Sequence, residues 1–367
     1  MTDSAETPPP LEFAATPPLL DRLVRAPAPS GYEEPAAAVW RQAADFGDLR
    51  TDALGSSVVT VAGRAERPLA VIVGHIDEIG LVVTHIDDDG YLWFETIGGW
   101  DPQILVGQRA RLVSSVGSEP TCLPGVIGKK PIHLLKPEDR KKVAEISTMH
   151  IDIGAVDGEQ ARGMVRVGDP VVLDAIPLQL PNGRLVSRSL DNRLGSYVAL
   201  EVARRVAEAG GVEVSVAGAA VVQEEIGLKG GGATAFSLAP DLAVAVDVTH
   251  ATDAPGISKQ ENGDHALGSG PVIGRGSTLS SKVSAGLVEA AEAIGMDFTL
   301  EASGARTGTD ADAIQIARGG IATGLVSIPL RYMHSTVEMV QLSDVEAVIE
   351  LLVAFVGRLG ADDDFGR

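Results

Sequence analysis

Val71-Ile72-Val73-Gly74-His75-Ile76-Asp77-Glu78 passes from a continuous apolar segment straight into a histidine and two acids. The run over 69–74 has no polar alternation, so it reads as a strand of a sheet buried on both faces. Open α/β sheets bind their ligands beyond the carboxyl ends of such strands. His75 stands at that end, and Asp77, two residues on, shares its side of an extended chain. A metal ligand oriented by a neighbouring carboxylate has this arrangement. So does a histidine that is merely hydrogen-bonded, and the octapeptide alone leaves both open.

Outward from this strand, further apolar runs at 57–62, 212–222, 242–246 and 325–328 alternate with helical patterns at 194–209, 282–294, 310–317 and 345–359. Two helices are expected earlier, over 19–25 and 35–46. Strands alternating with helices imply an α/β sheet domain. Between about 78 and 176 the character changes. Short alternating segments at 80–85, 91–96 and 109–113 are broken by Asp-Gly, Gly-Gly and Pro turns, as in a small β-rich unit. Within it only 136–143 looks helical. The expected organisation is therefore an α/β domain made of 1–77 and 177–367, interrupted by a β-rich insert at 78–176. Residues 1–18, with five prolines, read as a loose leader.

Composition narrows the function. Of 367 residues, 30 are Lys or Arg and 50 are Asp or Glu, a formal charge of −20. Binding a phosphate backbone needs clustered cations, so nucleic acid is excluded as the expected partner. The basic residues that do cluster, Lys129, Lys130, Lys136, Arg140, Lys141 and Lys142, lie inside the insert and read as a solvated loop or a contact to an acidic surface of another subunit. Cys122 is the one cysteine, which rules out an intramolecular disulfide and a Cys-based zinc site; it reads as a small loop or core residue. No apolar run approaches the ~18 residues of a membrane span. The N-terminus has neither a basic segment nor an apolar one of the secretory kind. A cytoplasmic location is expected.

Acids stand at the ends of several apolar runs: Asp191 after 185–190, Glu224 and Glu225 after 217–222, and Asp247 after 242–246. His334 follows the strand at 325–328. Carboxylates gathered at one rim of a sheet, with no Lys or Arg nearby in sequence, repel one another unless cations neutralise them. Two His, two Asp and two Glu on five segments can supply five ligands for a pair of divalent ions, if one carboxylate bridges. The remaining Glu would serve as general base. Adjacent residues of a strand point to opposite sides, so one of Glu224 and Glu225 as ligand and the other as base is a natural division. The same alternation argues against a glycosidase. His85 and His150 read as structural, and His250 as near the site without binding. Gly230-Gly231-Gly232 lacks the spacing of a nucleotide fingerprint and instead lets a helix start close to the sheet.

At these residues the sequence resembles the tetrahedral aminopeptidases, dinuclear metallopeptidases of clan MH that include glutamyl and deblocking aminopeptidases. The matching strings are Gly74-His75-Ile76-Asp77-Glu78-Ile79-Gly80, Leu190-Asp191-Asn192-Arg193 and Gln223-Glu224-Glu225-Ile226-Gly227-Leu228-Lys229-Gly230. Asp247-Val248-Thr249, Gly308-Thr309-Asp310-Ala311 and Arg331-Tyr332-Met333-His334-Ser335 continue the series. Ile97-Gly98-Gly99-Trp100-Asp101-Pro102 and Lys136-Pro137-Glu138-Asp139-Arg140-Lys141-Lys142 look like that family's insert. The resemblance implies a mixed-sheet, three-layer metallopeptidase domain of the phosphorylase/hydrolase-like kind, with a β-rich dimerisation insert. It implies that His75 and Asp247 hold one metal, Glu225 and His334 the other, and Asp191 bridges them. Glu224 would be the general base and Asp77 the partner that orients His75. Two Zn²⁺ or Co²⁺ ions, or Mn²⁺, would suit these ligands. Peptides are the implied substrates, and homo-oligomers built from dimers, up to a dodecamer, the implied assembly. A co-catalytic carboxypeptidase or N-acyl amino acid deacylase would use an equivalent metal pair, and a shell protein without chemistry is the remaining alternative. The segment 263–281 does not align with the family pattern.

Overall fold

A computed structural model describes residues 13–65 and 67–366; the first twelve residues of the expected leader lie outside the described residues. Eleven strands form one mixed sheet. At its centre Ser215–Val221, Leu69–His75, Leu242–His250 and Ala322–Arg331 run parallel, side by side. Antiparallel strands extend both flanks: Ser57–Val61 and Asp48–Thr51 on one, Glu338–Gln341, Arg184–Ser187 and Leu178–Leu180 on the other. Val272–Gly276 and Thr299–Ser303 branch from Ala322–Arg331.

The unbroken apolarity of the central strands follows from the two layers that cover them. Ala70 and Ile72 pack with the helices Leu190–Glu208, Ser281–Ala293 and Leu342–Gly357, whereas Val71 and Val73 face Ala235 and Ile314 of the shorter helices Lys229–Leu238 and Asp310–Ile314. Burying each large apolar side chain contributes about 1.5–3 kcal/mol. The period of two then sends His75, of the same parity as Val71 and Val73, to the side of the thinner layer. Asp247, of the same parity as Ala243, goes there too. A register of Ala245 beside Val73 brings the two level across adjacent strands. Gly74 has its own reason in this packing: a Cβ there would lie 2.1 Å from the carbonyl carbon of Gly195 in the covering helix. Gly230 likewise lets Lys229–Leu238 begin against the backbone of Val222, 2.3 Å from where a Cβ would sit.

Between Gly80 and Leu173 six strands close into a barrel, in the order Gly80–Ile86, Leu92–Ile97, Met149–Asp152, Thr121–Lys129, Arg109–Ser114 and Pro170–Leu173. Closure leaves no unpaired edge. Leu81, Leu92, Leu112, Ile127 and Ile151 fill its core. His150 packs edge-on against Tyr91, with ring centroids 4.8 Å apart, and is structural. Residues 136–143, expected as a helix, form turns instead. The segment lies largely exposed with no face to bury, which a short helix needs. Cys122 is exposed on Thr121–Lys129 rather than in a loop or core.

Candidate metal centre

All six ionisable residues singled out by the apolar-run argument converge on one cleft beyond the carboxyl ends of the parallel strands. His75 Nε2 lies 3.2 Å from Asp191 Oδ1, 3.7 Å from Glu224 Oε2 and 3.9 Å from Asp247 Oδ1. His334 Nε2 lies 3.4 Å from Asp191 Oδ2 and 3.3 Å from Glu225 Oε2. Asp191 thus turns one oxygen to each histidine. Ligand atoms of His75, Asp191 and Asp247 fall within 4.8 Å of one another, as do those of Asp191, Glu225 and His334.

Irregular backbone delivers several of these groups. Asp191 and Asn192 have non-helical torsions ahead of the regular part of Leu190–Glu208. The Asn192 amide donates to the Val246 carbonyl at 2.8 Å and accepts from Gly195 N–H at 2.8 Å, which moors this kink to the strand bearing Asp247. Glu224 and Glu225 leave the strand through Gln223, at φ +58°. They therefore sit in a loop, where strict alternation does not apply. Both reach the cleft, one toward each histidine.

Asp77, wholly buried, acts as their clamp. Its oxygens accept the N–H groups of Glu224 and Glu225 at 3.1 and 3.2 Å, and the Ser30 hydroxyl at 2.6 Å. His75 Nδ1 faces the Asp77 carbonyl oxygen at 3.2 Å and its carboxylate at 3.5 Å. His334 Nδ1 faces the carbonyl of Gly99 at 2.9 Å, on the segment that leaves the barrel strand Leu92–Ile97. Those oxygens only accept, so each Nδ1 carries a proton, and each Nε2 is the ring atom turned to the carboxylates, free to bind an ion once its own proton is released.

One residue was missed by the sequence argument. Glu338 is buried on Glu338–Gln341, where its Oε2 accepts Asp191 N–H at 3.2 Å and its Oε1 accepts His334 N–H at 3.0 Å. Its signal was present: an acid of the same parity as the buried Val340 on a short alternating strand. Behind the cleft Glu78 pairs with Arg188 and with the fully buried Arg193, at 3.1 Å for the latter. Arg193 also donates to the carbonyls of Leu23 and Ala26, tying the first helix Pro18–Arg25 to the site's support.

Among the described residues no Lys or Arg lines the cleft. Burial pushes the Glu224 carboxyl up to about 10, aided by the nearby Asp247 and Asp310 charges, and pushes Asp310 up to about 7. Burial also raises Asp247 and Glu225. For His334, burial works downward, but hydrogen bonds to Asp191 and Glu225 outweigh it and hold the imidazole at about 11. Protons here fill the role of counter-charges. Glu225 Oε1 and Asp310 Oδ1 are buried and find no hydrogen-bond partner. Crowded carboxylates, unpartnered oxygens and two imidazole Nε2 atoms that can exchange a proton for an ion form an N/O donor set that fits divalent ions of the zinc, cobalt or manganese type.

An α/β sheet with two histidine–carboxylate clusters at its carboxyl rim, facing one shared aspartate, defines the class: an α/β protein whose cleft is built to hold metal ions. Comparison with known proteins narrows it. The chain belongs to the M42 glutamyl aminopeptidase family, whose model matches residues 55–351, and it is a peptide hydrolase of that family. It is 34% identical to the lysyl aminopeptidase of Pyrococcus furiosus, over 93% of this chain and 96% of that one. Among solved structures it superposes on the TET aminopeptidase from a marine sediment Thaumarchaeota archaeon with a TM-score of 0.87 and 34% identity, covering 93% of this chain and 96% of that one. Superposition on the Pyrococcus horikoshii TET1 peptidase, which can assemble into a tetrahedron or a large octahedral shell, gives 0.81 and 33% identity, covering 93% and 99%.

Proposed function

We propose that this chain is a dinuclear metal-dependent aminopeptidase that removes N-terminal residues from peptides. The observation that carries the reading is Asp191, whose two oxygens face His75 and His334 at 3.2 and 3.4 Å. His75 and Asp247 would hold one ion, Glu225 and His334 the other, and Asp191 both; Zn²⁺ and Co²⁺ suit the set, and Mn²⁺ is compatible. When bound, such a pair polarises the scissile carbonyl and makes a water nucleophilic near neutral pH. Glu224 is the acid that neither ligand set needs. Its Oε2 lies at the edge of the His75 cluster; with bound ions replacing the proton that burial holds on it, it would take the proton of the attacking water and pass it to the leaving amine. Asp77 is a positioning residue: it fixes both the His75 ring and the backbone that carries Glu224.

The related TET peptidases and the exposed basic segment at 129–142 support assembly of this chain through its barrel into dimers and then a dodecamer. The test of the catalytic reading is hydrolysis of free-amine aminoacyl anilides by metal-stripped protein with Zn²⁺, Co²⁺ or Mn²⁺ restored, beside N-acetylated twins. Metal-dependent cleavage of the free-amine set alone is expected; cleavage of only the acetylated set would make the protein a deacylase. Glu224→Gln should keep two ions per chain by elemental analysis while losing about 10²–10⁴ in kcat. Full activity in that variant would remove Glu224 from the mechanism.

A further inference from the structure

Besides Glu224, the cleft contains one carboxylate that neither metal cluster uses. Glu301 projects from Thr299–Ser303 into the same cavity of about 330 Å³ as the two clusters. Its Oε1 accepts the Thr249 hydroxyl at 2.8 Å, and its Oε2 has no protein donor among the described residues. Thr249 lies two residues past Asp247 on the same face of Leu242–His250, so the Glu301 carboxylate is anchored roughly 6–7 Å along the cleft from the Asp247 ligand position.

We propose that Glu301 selects substrates whose N-terminal residue has a cationic side chain, lysine or arginine; this rests on the aminopeptidase reading above. Three observations carry it. The first is reach. The α-amine of a substrate is two bonds from the carbonyl under attack and must stay beside the clusters. A group anchored beyond Thr249 is met by the far end of a long side chain, and the flexible four-carbon stem of lysine spans such a distance. The second is charge. Two dications would formally cancel Asp191, Glu224, Glu225 and Asp247, which leaves Glu301 as the uncompensated charge of the cleft. Its partner there is a neutral hydroxyl, which holds the carboxylate in place without neutralising it. The third is what the walls lack. No Lys or Arg lines the cavity, so an acidic side chain meets Glu301 without a fixed cation to receive it. His250, also at this end, is the other ionisable side chain outside the clusters among the described residues that line the cavity.

The test is kcat/KM at pH 8 for Lys, Arg, Met and Glu anilides with metal-loaded protein, methionine being of similar length to lysine without its charge. Lys and Arg should exceed Met about tenfold or more, with Glu the poorest, as expected for a charge-assisted contact. Glu301→Gln should collapse the Lys-to-Met ratio by about tenfold, mainly through KM, and Glu301→Lys should raise the Glu anilide above Lys. An unchanged Lys-to-Met ratio in Glu301→Gln would overturn the proposal, as would a wild-type preference for Glu. Calorimetric titration of free lysine against norleucine separates this from the catalytic reading. If no free-amine anilide is cleaved, the aminopeptidase reading fails, while lysine binding that exceeds norleucine and is lost in Glu301→Gln still supports Glu301. Equal binding of the two amino acids overturns it.

Discussion

Glu338 shows how a residue outside the predicted set can govern those inside it. It accepts the N–H of Asp191 and that of His334, so a single carboxylate sets the spacing of these two residues. Glu338→Ala would leave two N–H groups without an acceptor, at about 1–3 kcal/mol each. We expect a melting temperature several degrees lower and reduced metal content at limiting free Zn²⁺, with Glu338→Gln, which retains one acceptor oxygen, in between. Wild-type melting and metal content in the alanine variant would show that neighbouring backbone fixes the spacing instead. His75, Asp191, Glu224, Glu225, Asp247 and His334 were all legible as polar interruptions of apolar runs. Glu338 was hidden because it opens a short strand of ordinary alternation, and its meaning lies in two hydrogen bonds across 147 and 4 residues of chain.

At the scale of elements, packing distance decides which substitutions the sheet tolerates. Gly74→Ala would drive a methyl into the backbone of Gly195 and Ser196, neither of which can rotate away. Overpacking of this kind typically costs about 1–3 kcal/mol and displaces the strand that carries His75. Lower thermal stability together with weaker metal retention is expected, measured by scanning calorimetry and elemental analysis. Asp344, in the first turn of the last helix Leu342–Gly357, ties a distant loop by accepting Gly268 and Gly270 N–H at 2.8 and 3.0 Å. Burial raises its carboxyl to about 6. A folded-state value above the unfolded one means that the native state holds the proton longer, so stability falls as pH rises from about 4 to about 6 and stays lower above that window. The melting temperature of wild type relative to Asp344→Asn should therefore drop between pH 4 and pH 7; a gap that does not change with pH would mean that the backbone donors offset burial completely.

For the whole molecule, charge links metal to fold. Five carboxylates share the cleft in a chain of net charge −20, and the described residues bring no Lys or Arg into it. Binding to the folded state alone stabilises it by RT ln(1 + [L]/Kd), about 2.7 kcal/mol per site at a hundredfold excess over Kd. Chelation should lower the melting temperature by several degrees, and Zn²⁺ or Co²⁺ should restore it. An unchanged melting temperature would mean that the ions are not held by the folded cleft. Light scattering should give a particle many times the 38.0 kDa chain mass; a monomer would remove the assembly proposed for the barrel. His334 already couples the two parts within one chain, since its ring is oriented by Gly99 from the barrel side.

Sequence by itself determined the α/β sheet, because two-sided burial removes polar alternation from the central strands, and it marked the residues that meet in the cleft, because acids and histidines interrupt those runs at their ends. Tertiary structure decided what no local pattern encodes. The helix expected at 136–143 depends on a face to bury, and the fold offers none. The partition of Glu224 and Glu225 depends on the turn at Gln223 rather than on strand alternation. Glu338, Gly99 and Glu301 acquire their places only when segments far apart in the chain meet, because hydrogen bonds and charge act through space, whereas periodicity reads only along the backbone.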